Sequence, residues 1–355
     1  MAKNIYIMLI AAVPLVVFVV VKAATIGSNT APSRIATQQL LNNGDYIAGF
    51  VALDGGILLS SMAVTATFDC FFPISGNVNL NGGVLLLNKD LYLENLTSFA
   101  ATGTINAVGH RVELSTTMLL TGTCFQLNNA NLVLNEDLTI NPGSCLKFSG
   151  NNLVNGRGNI LTINSGGSLI VDKNSGVFFE NIVIRGVHTG QLLCLDNIGT
   201  MSFQNTQLVM DGDYTFTNGR FNVFNQLLLS GPTHSFIYSS TQQSIISSNA
   251  VLTLDDSVTF SYQPTTGIRT ALLFTDTTSQ LYLNNAIFAT AAAGINLLKG
   301  KMLVDGSSTL FSVGTTSGTG ITFGDGASVG NDFIIRLLPA ANLFLTNGFF
   351  LYNNI

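Results

Sequence analysis

GTCFQLNNANLV at residues 122–133 lies over GSCLKFSGNNLV at residues 143–154 without a gap, at an offset of 21 residues. Gly, Thr or Ser, Cys and two alternating apolar positions coincide, followed by Asn131 over Asn152, Leu132 over Leu153 and Val133 over Val154. A further step reaches GGSLIVDKNSGV at residues 166–177, where Leu169 and Val171 take the places of Phe125 and Leu127. Another reaches GQLLCLDN at residues 190–197, which puts Leu193 and Leu195 in those places. A unit of this length cannot bury its apolar face alone, so successive units must stack on one another.

The kernel, two apolar residues flanking a third position and followed by Asp, Asn or Gly, recurs in both directions. Upstream it is Val51-Ala52-Leu53-Asp54 and Val78-Asn79-Leu80-Asn81; downstream it is Leu252-Thr253-Leu254-Asp255, Met302-Leu303-Val304-Asp305, Ile321-Thr322-Phe323-Gly324 and Leu343-Phe344-Leu345-Thr346-Asn347. Each repeat holds two or three short alternating strands joined by Gly, Asn and Asp turns. An antiparallel sandwich also has frequent short strands but has no reason to repeat position by position. The chain is therefore expected to be all-β, a single-stranded parallel β-helix (β-solenoid) with about 21–24 residues per coil. Residues 49–355 should form it as one unit, with Phe125, Leu146, Leu169 and Leu193 in one inward stack. Residues 24–48, which hold Gly27, Pro32 and Ser33, read as a linker or N-terminal cap. Proline is scarce, at seven, because strands with neighbours on both sides need their N–H groups.

Composition narrows the function classes. The 355 residues are 47% hydrophobic and only 9% charged, with a mean hydropathy of +0.43, which excludes a disordered chain. Fourteen Lys and Arg against nineteen Asp and Glu leave a net charge of −5, opposed to nucleic-acid binding. Just one long apolar run exists, at residues 5–21, behind Lys3 and ahead of Val21-Lys22-Ala23. That order reads as a signal peptide over residues 1–23 or, if uncleaved, as a membrane anchor. The expected destination is the cell surface or the medium, with the membrane touched through this segment only.

The repeat pattern resembles the right-handed parallel β-helix (pectin-lyase-like) superfamily, including surface adhesin passengers and phage tailspikes, over about residues 45–355. The DGGILLS segment at residues 54–60, with FEN at 179–181 and FQN at 203–205, resembles the GGAI and FxxN repeats of polymorphic outer-membrane adhesins. A C-terminal barrel of the kind such adhesins carry is not expected from these residues. The resemblance implies either a binding surface along the rod or, as in the pectin-degrading members, a carboxylate site on it.

Residue by residue, the enzyme reading finds little. The hydrolases of that superfamily show NTD, DD, GHG and RIK elements; this chain has DD at Asp255-Asp256 and lacks the others, and Asp255 ends a strand kernel as a turn residue would. Arg185 and His188, with Lys173 about one coil earlier, are the nearest approach to a lyase base cluster, against the simpler reading of a solvated face. Asp211-Gly212-Asp213 offers two carboxylates but reads first as a turn, since calcium takes six to eight oxygens. His110, His188 and His234 are far apart, with no zinc spacing. Cys124 and Cys145 should sit on adjacent coils, where a disulfide is sterically conceivable; a free stacked pair is preferred, because bridging neighbouring strands strains the bond. Cys70 and Cys194 have no evident partner.

No catalytic, cofactor-binding or metal-binding residue is assigned, and no cofactor is expected. The expectation is an exported, non-catalytic surface protein with a structural or adhesive role, its candidate partners being surface glycans or another cell's surface. Two alternatives stand beside it: a polysaccharide lyase or glycoside hydrolase on the same scaffold, and a self-associating fibre or tailspike subunit.

Overall fold

The computed structural model describes residues 23–100, 102–122, 124–264, 267–327 and 332–353, with the side chains of residues 29 and 30 left aside. All but one residue of the signal or anchor segment thus lies outside the described residues. Strands are the regular structure throughout the described residues, and every pairing is parallel. They wind into a β-solenoid of about 13 turns. At about 4.8 Å per strand step this is a rod about 60 Å long.

Short alternating segments become strands because each coil lends its neighbour a hydrogen-bonding edge. Cys124–Asn128 lies on Cys145–Ser149, which lies on Ser168–Val171, which lies on Leu192–Cys194. The long strands Gly176–Val187 and Thr200–Met210 run through a corner and join two faces of the rod, so that 29 strands share one hydrogen-bonded system. Inward positions alternate with outward ones and form continuous stacks. Phe125, Leu146, Leu169 and Leu192 make one, all essentially unexposed. Leu127, Phe148, Val171 and Cys194 make the next.

The register corrects two expectations. Leu192 rather than Leu193 continues the stack, and Cys194 rather than Leu195 the second one; Leu193 is half-buried on the outer side and Leu195 is exposed. A slip of one residue turns every side chain to the other face, and the buried pattern Leu192-x-Cys194 wins over the more apolar Leu193-x-Leu195. The ungapped alignment also fails past the cysteines. Asn131 pairs with Leu153 and Leu132 with Val154, an offset of 22, because the corner at Gly150 holds one more residue than the corner at Asn129. Gly150 has φ 68°, and a Cβ there would lie 2.2 Å from the Asn129 side-chain oxygen. That oxygen instead accepts from the Asn151 N–H at 2.9 Å.

Two coils in the C-terminal half are longer than the rest, with one of 21–22 residues between them. Phe260 pairs with Phe288, an offset of 28 residues, and Leu310 with Leu345, an offset of 35, beyond the expected 21–24. The additional residues form loops outside the wall. Arg269 ties two of them down, donating to the carbonyls of Ser317 at 3.0 Å and Gly320 at 2.7 Å.

At the other end, Thr25–Ile35 pairs in parallel with Tyr46–Leu53. The stack therefore begins at Thr25, within the stretch expected to link or cap. The inward stacks change character along the rod, from aliphatic to aromatic. Phe236, Phe260 and Phe288 succeed one another with ring centroids 5.3 and 5.5 Å apart. Beside them Tyr238 lies over Tyr262 at 5.7 Å. Their hydroxyls are satisfied by backbone: Tyr238 donates to Gln242 O at 2.7 Å and Tyr262 to Ile268 O at 2.8 Å. Burial pushes the Tyr238 phenol up to about 12.

Candidate functional site

The corners decide what the rod presents outward. Asn129, Asn181, Asn205 and Asn285 all stand at φ between 48° and 51°, a left-handed turn conformation that Asn tolerates because its side chain can bond the local backbone. Stacked coils bring such amides into ladders. Asn225 donates to Asn205 at 2.7 Å, and Asn205 donates to Asn181 at 3.1 Å. A second ladder runs from Asn164 to Asn141 at 2.8 Å and from Asn141 to Thr121 at 3.2 Å.

Beside these corners run shallow open grooves. One of about 410 Å³ is lined by Asn151, Asn152, Asn174, Ser175, Thr200 and Ser202 with Phe178 and Ile198. Another of about 380 Å³ is lined by Asn181, Asn205, Thr206, Gln207 and Gln226 with apolar neighbours. Neither lining contains a charged side chain. Asn152 is spent on structure, accepting from Ala130 N at 2.9 Å and donating to Ser149 O at 2.8 Å. The side-chain amides of Asn151 and Asn174 make no hydrogen bond among the described residues. Phe178 points outward and meets Phe224 with ring centroids 5.6 Å apart. The sequence signal for this pair was the doublet Phe178-Phe179: at period two, one ring of a doublet must face out.

The carboxylates at the strand ends are held in turns. Asp172 forms an ion pair with Lys147 at 2.8 Å, and the hydrogen bond from Lys147 holds its carboxyl below the usual range. Asp196 accepts from the N–H groups of Asn174, Ile198 and Gly199 at 2.9, 3.1 and 2.7 Å. Asp255 accepts from Asp256 N at 2.9 Å and Asn284 Nδ2 at 2.7 Å. Asp305 accepts from the Tyr282 hydroxyl at 2.8 Å and Gly306 N at 2.8 Å. Asp213 accepts from Ser235 N at 2.8 Å. Asp276, not noticed in the sequence, is held well below the carboxylate range by the Ser248 hydroxyl and by Thr278.

The basic cluster does not assemble. Lys173 lies just before the strand Gly176–Val187 and Arg185 near its far end, so the two belong to one coil rather than to successive ones. The register instead sets residues near Asp196 beside Lys173. Arg185 is exposed, and His188 contacts the Thr189 carbonyl at 3.1 Å. His110 approaches Asp90 at 3.5 Å. Among the described residues no three His, Cys, Asp or Glu side chains stand where they could share a metal ion.

Cys124 and Cys145 are bonded as a disulfide across adjacent coils, their Cα atoms 4.3 Å apart. The preferred free pair is thereby corrected: in-register pairing of the two residues brings the sulfurs together. Cys70 and Cys194 are free and buried, and burial raises the Cys194 thiol to about 12. Comparison with protein-family models, with curated proteins and with solved structures finds no match to this chain.

Proposed function

We propose that the chain is an exported, non-catalytic surface protein with a structural or adhesive role, akin to the right-handed parallel β-helix proteins of the pectin-lyase-like kind, and that its lateral grooves contact surface glycans. The observation that carries this reading is the pairing of uncharged, amide-lined grooves with carboxylates that are committed to turns. Sugars offer hydroxyl groups to amides and apolar C–H faces to rings, and the outward Phe178–Phe224 pair borders the groove at Asn151 and Asn174. Glycosidic cleavage needs two carboxyls facing a common cleft, one with a raised pKa; Asp172 is shifted the other way. The Cys124–Cys145 bond suits an oxidising compartment.

The test is to incubate the full-length chain with neutral and acidic polysaccharides and measure both retention and cleavage products. Retention without turnover is expected. Turnover that disappears in Asp172→Ala, Asp196→Ala, Asp255→Ala or Arg185→Ala would replace this reading with the enzyme alternative.

A further inference from the structure

Exposed large apolar side chains gather toward the two ends of the rod. Leu40, Phe50, Met62 and Phe71 are 56%, 37%, 78% and 54% exposed, all within the first three coils. Between Leu119 and Ile334 the exposed large apolar side chains among the described residues are the neighbours Leu195 and Ile198, then Ile287 and Val313, and a second group, Ile334, Leu337, Phe344, Leu345 and Tyr352, is exposed at the C-terminal end. The early ones occupy different parts of the perimeter. Phe50 and Phe71 stack at one corner with ring centroids 5.3 Å apart, and Phe72 meets Phe50 edge-on at 6.2 Å. Leu40 points outward from the strand Gln39–Leu41, and Met62 sits in the turn after Gly56–Leu59. Phe71 is two coils above Thr25–Ile35, about 10 Å at the strand spacing. The apolar collar at this end is therefore shallow.

That end is where the apolar run at residues 5–21 enters the rod. In sequence, Lys22 and Ala23 alone separate the run from Ala24. Ala24 N donates to the Asp45 carboxylate at 2.7 Å, and Thr25 already pairs with Tyr46. Charged groups border the collar: Arg34 pairs with Asp54 at 2.8 Å on the first two coils, and one coil above Phe71 the Lys89 amine lies 4.5 Å over the Phe71 ring and 3.8 Å from Asp69, which also accepts from the Tyr46 hydroxyl.

We infer that the first three coils are a membrane-seated foot, in which Leu40, Phe50, Met62 and Phe71 enter the interfacial layer of the bilayer that residues 1–23 engage, with Lys89 at the headgroup boundary. The inference rests on the reading of residues 1–23 as a membrane-directed segment. Interfacial apolar groups embed about 5–10 Å into the headgroup and acyl boundary, which matches the height of the collar. A lysine stem lying on a ring with its amine directed to water is the arrangement that boundary favours. A patch of this kind marks a contact surface, and of the two apolar ends of the rod this one is continuous in sequence with the apolar run, which selects lipid.

The test uses the full-length chain in phosphatidylcholine vesicles containing a phospholipid with a diazirine in its upper acyl chain. After flotation and irradiation, mass spectrometry locates the labelled peptides. Peptides with Leu40, Phe50, Met62 and Phe71 should be labelled several-fold more than those with Lys173 and Ile198. The exposed double replacement Phe50→Ser and Phe71→Ser should cut collar labelling several-fold while labelling of residues 1–23 persists. Floated chain labelled in residues 1–23 alone overturns the foot and leaves the proposed function standing. A collar without lipid label, together with a dimer in sedimentation that the Phe50→Ser and Phe71→Ser replacement dissolves, overturns it in favour of self-association. A full-length chain that does not float removes the membrane reading and the foot with it.

Discussion

Phe260 and Phe288 lie one coil apart with ring centroids 5.5 Å apart and planes within 3° of parallel. Both are fully buried. Each ring is a wall of the cavity that loss of the other would open, and in a solenoid that loss falls on nearest neighbours. Phe260→Ala should cost about 3–5 kcal/mol. In hydrogen exchange the strands Ser235–Tyr238, Thr259–Tyr262 and Ile287–Thr290 should lose protection first, while Cys124–Asn128 keeps its own. Equal loss along the whole rod would contradict nearest-neighbour coupling.

Leu132 is fully buried where its strand crosses Val112 and Val154. Leu132→Asp would place an unpaired charge in that close-packed stack, at a cost of several kcal/mol. Soluble yield should collapse. An unchanged yield and β-type circular dichroism spectrum would show that the stack tolerates water.

How far the fold could be read depended on which residues carried the periodicity. Alternation at Phe125-x-Leu127 and Met302-x-Val304 was enough to find strands and their stacking, because inward positions must be apolar in every coil. It could not settle Leu192 against Leu193, since both frames of GQLLCLDN are apolar and just the neighbouring coil selects one. The additional corner residue at Gly150 was equally hidden, because Asn and Gly fit a left-handed corner whether it holds two residues or three. The grooves were less legible than the fold. Asn151, Asn174 and Phe178 come from different coil positions, and no local motif joins them. The turn role of Asp255 was legible, since Asp after an apolar kernel is turn chemistry in any coil.

Lys147 and Asp172 form an ion pair that is about three-quarters buried at both side chains. The Asp172 carboxyl has its folded pKa below its unfolded value, so its contribution is complete above about pH 4 and is lost as pH falls through the folded value. The pair should contribute up to about 1 kcal/mol. Acid unfolding of Asp172→Asn should begin from lower stability at pH 7 and show a shallower decline below pH 4. Parallel curves for the two proteins would remove the pair from the pH response.

The Cys124–Cys145 bond closes a loop of 21 residues. Replacing both with Ser should cost roughly 3 kcal/mol by loop entropy, read as a lower urea midpoint matched by reductant treatment of the parent protein. A midpoint insensitive to reductant would mean the bond adds nothing to the coils it joins.

The account depends most on the rod standing outside the cell. Lys173 is exposed in a turn on the middle of the rod, far from the first coils. Intact cells producing the full-length chain can be treated with a membrane-impermeant amine-reactive biotin, and labelling of the Lys173 peptide compared with that after lysis. The account predicts equal labelling before and after lysis. Labelling of Lys173 that appears only once the cells are broken would contradict it.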